Sequence, residues 1–403
     1  MTPLALSGRA LSLKTPEGST GRLLLRLRSR ANSSNTDQAP QDTGLVSGAE
    51  DVQWALDRGF QAVATFSDIA PSELPFPVVL QLDEQFRHLG NGDLIGLDVA
   101  SRRFRAVYRQ SSRHNSLLVT ERCNHYCLMC SQPPKDIDDR WLLEEIAAAI
   151  PLIDPLTPSL GFTGGEPLTD WRRFVEVLAL ARDTLPDTAL HVLTNGRAFA
   201  NKEIAAAWSH LMHPNLMAGI PIYAAVDHVH DHVVQARGAF DETVLGVLRM
   251  KDHGQRVEIR VVLHALTAPR IVETCQWLAR NLPFVNHVAL MGLENTGFAI
   301  ANDGQLWIDP LDYQADLARG AQALMAAGVP VSIYNLPLCL VEESVRPIAV
   351  QSISDWKNGY VAECDSCAAR PNCAGFFSSG RPKFSRGIKA IGLSQPVKND
   401  DAA

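Results

Sequence analysis

The amino-acid sequence predicts an α/β fold: a partial (β/α)6 barrel of the TIM type, with a small β-rich domain before it and a Cys-rich extension after it. Three observations carry that expectation. From about residue 116 to 291, short apolar runs alternate with helical stretches of ten residues or more, which implies right-handed parallel βαβ crossovers. The units number about six by that pattern, fewer than the eight of a closed barrel. The residues with chemical potential follow directly after the apolar runs, and the C-terminal ends of barrel strands are where such folds carry function.

In chain order, residues 1–50 read as a poorly structured segment, although Leu23-Leu24-Leu25-Arg26-Leu27-Arg28 alternates in part like a strand edge. Its polar stretch 31–50 lacks an apolar period and reads as linker. Residues 51–112 form the small β-rich domain, with 94–98 and 103–108 as a hairpin. The barrel spans 113–330, with strands at 117–120, 159–163, 190–193, 219–226, 257–263 and 286–291. Helices fall at 141–150, 171–185, 200–211, 241–253 and 269–281 between them. Residues 331–403 hold a second group of cysteines and a tail.

Composition narrows the function classes. Hydrophobic residues make up 46% and charged residues 20% of the 403, enough for a sizeable core. The net charge of −7 argues against a globally basic nucleic-acid binder. No apolar run reaches the roughly 18 residues of a membrane helix. The first 36 residues hold six basic residues against Glu17, yet lack the apolar core of a signal peptide. A cytoplasmic location is therefore expected. In such a reducing compartment, clustered cysteines bind metal more often than they pair.

Directly after the first barrel strand stands Cys123-Asn124-His125-Tyr126-Cys127-Leu128-Met129-Cys130, a C-x3-C-x2-C loop. Three thiolates within one loop can wrap a soft metal centre. They are one too few for a closed structural zinc, unless His125 completes it, and one short of saturating a 4Fe–4S cluster. Spacing and position favour iron–sulfur over zinc.

The loop resembles the signature of the radical S-adenosylmethionine (SAM) superfamily. That resemblance implies a cluster on Cys123, Cys127 and Cys130 whose open iron is chelated by SAM. Reductive cleavage of SAM there yields a 5′-deoxyadenosyl radical that removes a hydrogen atom from the substrate; the cofactors carry this chemistry. The superfamily usually has an aromatic residue just before the third cysteine, where this chain has Met129. Gly164-Gly165-Glu166-Pro167, after the next strand, resembles the family's GGEP motif, which assigns Gly164, Gly165 and Glu166 to the SAM amino group. By the same resemblance Thr194 and Asn195 form a turn near SAM, Asp227 contacts the ribose, and Arg260 pairs with the SAM carboxylate. His228-Val229-His230-Asp231-His232 falls one residue short of a two-metal hydrolase motif and reads as a polar loop entering the next helix.

Cys364, Cys367 and Cys373 form a C-x2-C-x5-C run, with Cys339 upstream. Four thiolates can close either a zinc site or a second 4Fe–4S cluster. The run resembles the SPASM or twitch-type extensions of peptide-modifying radical SAM enzymes, which implies one auxiliary 4Fe–4S cluster on these four. Cys275 reads as a buried helix residue.

The strings around Leu117–Asn124, Cys127–Lys135, Gly238–Val244 and Val257–Leu263 resemble the C-type radical SAM maturase of the His-Xaa-Ser repeat peptide system. This implies modification of a ribosomally made precursor peptide, beside a second radical SAM maturase and with a flavodoxin or ferredoxin as electron donor. No nucleic acid or membrane is expected as a partner. Two alternatives stay open: a radical SAM enzyme acting on a small molecule, as molybdopterin-precursor cyclases do, and a non-catalytic zinc-stabilised binding protein.

Overall fold

An eight-stranded mixed sheet precedes a seven-stranded parallel one in this computed structural model, which describes residues 4–32, 39–66, 70–351, 358–377 and 383–392. The first sheet comprises β1 (Ser7–Arg9), β2 (Ser12–Lys14), β3 (Arg22–Arg28), β4 (Asp42–Leu45), β5 (Ala62–Thr65), β6 (Val78–Gln81), β7 (Leu94–Asp98) and β8 (Arg103–Tyr108). Their spatial order is β1-β8-β7-β3-β4-β5-β6-β2. Strands β7 and β8 pair as the expected antiparallel hairpin. Helix α1 (Ala49–Asp57) connects the parallel neighbours β4 and β5.

This sheet corrects the expectation for residues 1–50, which contribute four strands, with β3 and β4 at its middle. Polarity hid β4 from a reading by apolar period. Asp42 is buried because its carboxylate accepts from Arg26 Nε at 2.5 Å, Arg26 Nη2 at 3.0 Å and the Ala39 amide at 3.0 Å. A buried charge satisfied in this way carries no hydrophobic signature.

The second sheet is the barrel: β9 (Asn115–Thr120), β10 (Ser159–Gly164), β11 (Ala189–Leu193), β12 (Leu216–Pro221), β13 (Arg256–Leu263), β14 (His287–Gly292) and β15 (Val331–Tyr334). All neighbours are parallel and follow chain order, with β9 and β15 as the two edges, so the barrel is open. Its helices are α2 (Trp141–Ala149), α3 (Trp171–Thr184), α4 (Lys202–Ser209), α5 (Asp227–Val234), α6 (Ala239–Asp252), α7 (Ile271–Asn281), the short α8 (Phe298–Ala301) and α9 (Asp303–Leu306), and α10 (Pro310–Ala326). Six βα units are thus followed by a seventh strand, β15, inside the stretch expected to belong to the extension. Strand β12 lies earlier than expected, and 222–226 leads from it into α5. That helix is the His228–His232 run itself, correcting the loop reading: His230, Val233 and Val234 form its buried face.

Strand residues alternate between the two faces of the sheet. Val257, Ile259, Val261 and Leu263 of β13 join Leu160, Phe162, Val192, Ile220, Val288 and Leu290 in the core under the helices, together with Cys275 of α7. The opposite face of β13, toward the barrel interior, carries Arg256, Glu258 and Arg260.

The two sheets meet at α2. Glu145 is buried between Arg22 of β3, at 3.3 Å, and Arg105 of β8, while the Arg22 guanidinium stacks 3.5 Å from the centre of the Trp141 ring. Leu94, Val107 and Tyr108 of the first sheet also belong to the barrel core, so one hydrophobic mass spans both. C-terminal to β15 the chain is mostly short 3-10 turns, with one two-stranded ribbon, β16 (Asn358–Gly359) and β17 (Phe376–Phe377).

Candidate functional site

The residues expected to act fall at the C-terminal rim of the barrel, on successive strands. The loop after β9 is rooted by Asp139, whose carboxylate accepts from Thr120 Oγ1 at 2.7 Å, the Glu121 amide at 2.5 Å and Arg122 Nε at 3.0 Å. Farther along, the Tyr126 and Leu128 amides donate to Val234 and Val233 carbonyls at the end of α5, at 3.2 and 2.9 Å. Asn302 Nδ2 donates to the Leu128 carbonyl at 2.8 Å, and the Phe298 amide to that of Cys130 at 2.9 Å. The cysteine loop is therefore held along its length by groups from distant parts of the barrel.

Gly164 and Gly165 press against the root of this loop. A Cβ on Gly164 would stand 2.5 Å from the Thr120 carbonyl oxygen, and one on Gly165 2.1 Å from that of Arg122. No side chain fits at either position, so glycine is required by the approach of protein backbone. The Gly165 and Glu166 amides donate to those same two carbonyls, each at 2.8 Å.

Glu166 is buried and serves as the tie between strands. Its Oε1 accepts from the Leu168 amide at 3.0 Å and Thr194 Oγ1 at 2.7 Å, and its Oε2 from the Asn195 amide at 2.6 Å. Burial raises its pKa, and these three hydrogen bonds oppose the rise. Asn195 extends the tie to the cysteine loop, donating from Nδ2 to Asn124 Oδ1 at 2.6 Å. Cys123, Gly165, Glu166, Thr194 and Asn195 are thus brought into one constellation.

Burial pushes the Cys123 thiol up to about 11, raises Cys127 further still, and raises Cys130 as well. Neighbouring thiols add to two of these shifts: Cys130 raises Cys123, and Cys130 and Cys123 both raise Cys127. Metal capture here must release protons, because the thiolate is the ligand. The His125 ring is buried, and both its nitrogens lack a partner. Burial lowers its pKa to about 3, and the Arg197 and His230 charges add to this while Asp231 opposes it. Among the described residues, no three His, Cys, Asp or Glu side chains converge closely enough to bind a single ion.

The other expected residues scatter more. Met129 is buried in an apolar cluster with Tyr223, Val233, Ala299 and Leu306. Asp227 opens α5 on the exposed side, bonded only to His228, at 2.7 Å from its amide. Arg260 lies inside the barrel, its Nη1 donating to Glu258 at 2.6 Å. The residues missed by the sequence reading are Asp139, Asn124, Tyr223 and Glu258. Burial raises the Tyr223 phenol well above its ordinary value; Cys127 and Cys130 add to this and Arg260 opposes it, so Tyr223 lies within electrostatic reach of both groups. The strict alternation Arg256-Val257-Glu258-Ile259-Arg260 was the available signal for an inward polar row on β13.

At the other end of the chain, Cys339, Cys364, Cys367 and Cys373 line one hollow, with Tyr360, Phe376 and Ile391. Backbone amides aim at the sulfurs: Leu338 and Gly375 at Cys373 Sγ, at 3.3 and 3.4 Å, and Ile391 at Cys367 Sγ, at 3.3 Å. A larger hollow of about 80 Å³ lies between this region and the barrel rim, lined by Leu293, Trp307, Tyr313, Asn335, Phe376 and Lys383 among others.

Residues 117–278 match the family model of the radical SAM superfamily, whose members use a 4Fe–4S cluster and SAM. No curated protein matches. Among solved structures, SuiB of Streptococcus suis bound to S-adenosylmethionine is similar with a TM-score of 0.42 and 14% identity, covering 54% of this chain and 49% of that one. Native anSMEcpe with bound AdoMet gives 0.43 and 16%, covering 54% and 63%. A radical SAM methyltransferase from Sphaerobacter thermophilus gives 0.42 and 16%, covering 60% and 72%. The chain spans about half the length of SuiB.

Proposed function

We propose that this chain, whose segment 117–278 matches the radical SAM superfamily, is a radical SAM enzyme that modifies a ribosomally made peptide bearing His-Xaa-Ser repeats. The observation that carries the reading is the clamped three-cysteine loop, locked through Gly165, Glu166 and Asn195 to the rims of β10 and β11. Cys123, Cys127 and Cys130 hold the catalytic 4Fe–4S cluster. When bound, the cluster and SAM supply the radical that takes a hydrogen atom from the substrate.

The chain's own residues keep that chemistry in register and dry. The Gly165 and Glu166 amides hold the turn after β10 against the loop, and Thr194 and Asn195 hold Glu166. Met129 and Tyr223 present an apolar wall next to the thiols. Arg260 provides a cation for the SAM carboxylate, and Asp227 an acceptor for its ribose. Four cysteines around one hollow support an auxiliary cluster with every iron ligated, on Cys339, Cys364, Cys367 and Cys373. That favours the peptide reading over the small-molecule one, which leaves an iron open to substrate. The aromatic-lined hollow between rim and extension offers a peptide an apolar surface beside the rim. A cytoplasmic setting, a flavodoxin or ferredoxin donor and a second maturase complete the proposal; among the described residues no helix is long and apolar enough to cross a membrane.

The test is an iron and sulfide count on anaerobically reconstituted protein, followed by SAM cleavage and peptide mass. About eight iron per chain, 5′-deoxyadenosine on reduction, and a mass change in a His-Xaa-Ser peptide are expected. Stoichiometric zinc without iron, and no SAM cleavage, would overturn the proposal in favour of a binding protein.

A further inference from the structure

Barrel interiors are filled mainly by branched apolar side chains, and this one is interrupted by a carboxylate. Glu258 of β13 is 8% exposed. Its Oε1 receives Arg260 Nη1 at 2.6 Å and lies 3.4 Å from His191 Nε2 of β11; its Oε2 lies 2.9 Å from His287 Nδ1 of β14. The other nitrogen of His287, Nε2, is 3.0 Å from Ser332 Oγ of β15. Two strands besides its own therefore bear on one carboxylate, and a third, β15, bears on His287. A buried ion pair of this kind is weak evidence for stability, because desolvation offsets much of the attraction. Its geometry is better explained by what it holds.

It holds Arg260. Long and flexible, that side chain loses much rotamer freedom when ordered, and here Glu258 and the Met291 sulfur, 3.1 Å from Nη2, order it in advance. Only two of the five N–H groups of the guanidinium are used in these contacts. The Ile222 amide donates to the Arg260 carbonyl at 3.2 Å, and the next residue, Tyr223, shares an apolar cluster with Met129 and Cys127, which places Arg260 on the cysteine loop's side of the barrel.

We propose that Glu258 is a positioning residue for SAM: braced by His191 and His287, it keeps the Arg260 guanidinium in place for the carboxylate of SAM. This rests on the assignment of Arg260 given above, and the test separates the two. Dissociation constants are measured by calorimetry on anaerobically reconstituted protein, for SAM and for 5′-methylthioadenosine, which lacks the amino-acid carboxylate. Glu258→Gln is expected to weaken SAM about tenfold, as the loss of pre-ordering for one rotamer-rich side chain. Glu258→Asp should recover part of this. The double variant Glu258→Gln/Arg260→Ala should bind SAM no more weakly than Arg260→Ala alone, because residues acting through one group are non-additive. Methylthioadenosine binding should not move in any of them.

If Arg260→Ala leaves SAM binding unchanged, the Arg260 assignment falls and the proposal with it. If Arg260→Ala weakens SAM but Glu258→Gln leaves it unchanged or tighter, the proposal alone is overturned, a tighter value making Glu258 a competitor for the guanidinium. Additive losses, or parallel losses of methylthioadenosine, also overturn it by showing a general structural role. Should Glu258→Gln not accumulate as folded protein, His287→Leu takes its place, with about threefold weaker SAM expected and unchanged affinity overturning the proposal.

Discussion

The two groups of cysteines are built in opposite ways. The first lies in one short loop and is clamped by the barrel: Asp139 at its root, α5 at its middle, and Asn302 and Phe298 at its end. The second gathers Cys339 and three cysteines 25 or more residues later from short 3-10 turns, with amide–sulfur contacts as much of its order. Behind the first group stands a core running from Leu94 to Val345. The C-terminal turns add only a few buried apolar residues of their own, Ala374 among them. A protein that must present one iron to a ligand gains from a pre-shaped loop; a fully ligated site can be shaped by its metal, since binding energy then becomes folding energy.

Loss of a ligand from the clamped loop is expected to have the largest effect. Cys127→Ala should lower 5′-deoxyadenosine formation to below about one-hundredth, since even outer-shell losses at metal sites cost about 10–100-fold. Its melting temperature in the metal-free state should barely change, because the loop is held by backbone bonds. A metal-free Cys127→Ala that unfolds would erase the contrast between the regions.

Cys339→Ala tests the other side. About four iron per chain should be lost, with reductive SAM cleavage retained in the absence of peptide. Limited proteolysis should cut between 338 and 392 in this variant and in metal-free wild type, and spare the barrel. Equal protection with and without metal would show the C-terminal turns to be self-supporting.

Glu166→Ala is expected to cost about 3 kcal/mol in denaturant unfolding, because it strands the Leu168 and Asn195 amides and the Thr194 hydroxyl in a buried place. A loss well under 1 kcal/mol would mean that water replaces the carboxylate. Asp139→Asn should cost least, about 1 kcal/mol at neutral pH. Burial raises the Asp139 pKa, but hydrogen bonds from Thr120, Glu121 and Arg122 outweigh this and hold it below the ordinary carboxylate value. Its contribution is therefore present above the ordinary value of about 3.9 and lost as pH falls through the lower folded one. The gap between Asp139→Asn and wild type should close in acid below about pH 4, by thermal melts across pH; a gap that persists would assign the cost to shape rather than charge.

Much of the rim was legible because its chemistry is local. Cys123, Cys127 and Cys130 share one loop, and Gly164 to Glu166 and Thr194 to Asn195 each follow directly after a strand, where short-range spacing carries the signal. The part of the N-terminal sheet drawn from residues 1–50 was not legible, for the opposite reason, whereas the β7–β8 hairpin was. Strand β4 is buried through the Asp42–Arg26 pair, and β1 and β2 are only three residues long, so no apolar period marks them.

The sequence by itself determined the alternation of strands and helices, the order of the rim residues and the spacing within the two cysteine groups, because period and spacing are properties of neighbours along a chain. Only the tertiary structure decided which distant groups meet. Glu166 ties β10 to the turn after β11 rather than standing free, the glycines before it admit protein backbone, and Cys339 joins three cysteines far downstream around one hollow. Arg260 is ordered by a carboxylate that side chains of two other strands approach. These pairings depend on strand register and on the curvature of the sheet, and desolvation makes them obligatory: a charge or donor taken out of water must find its partner wherever the fold puts it.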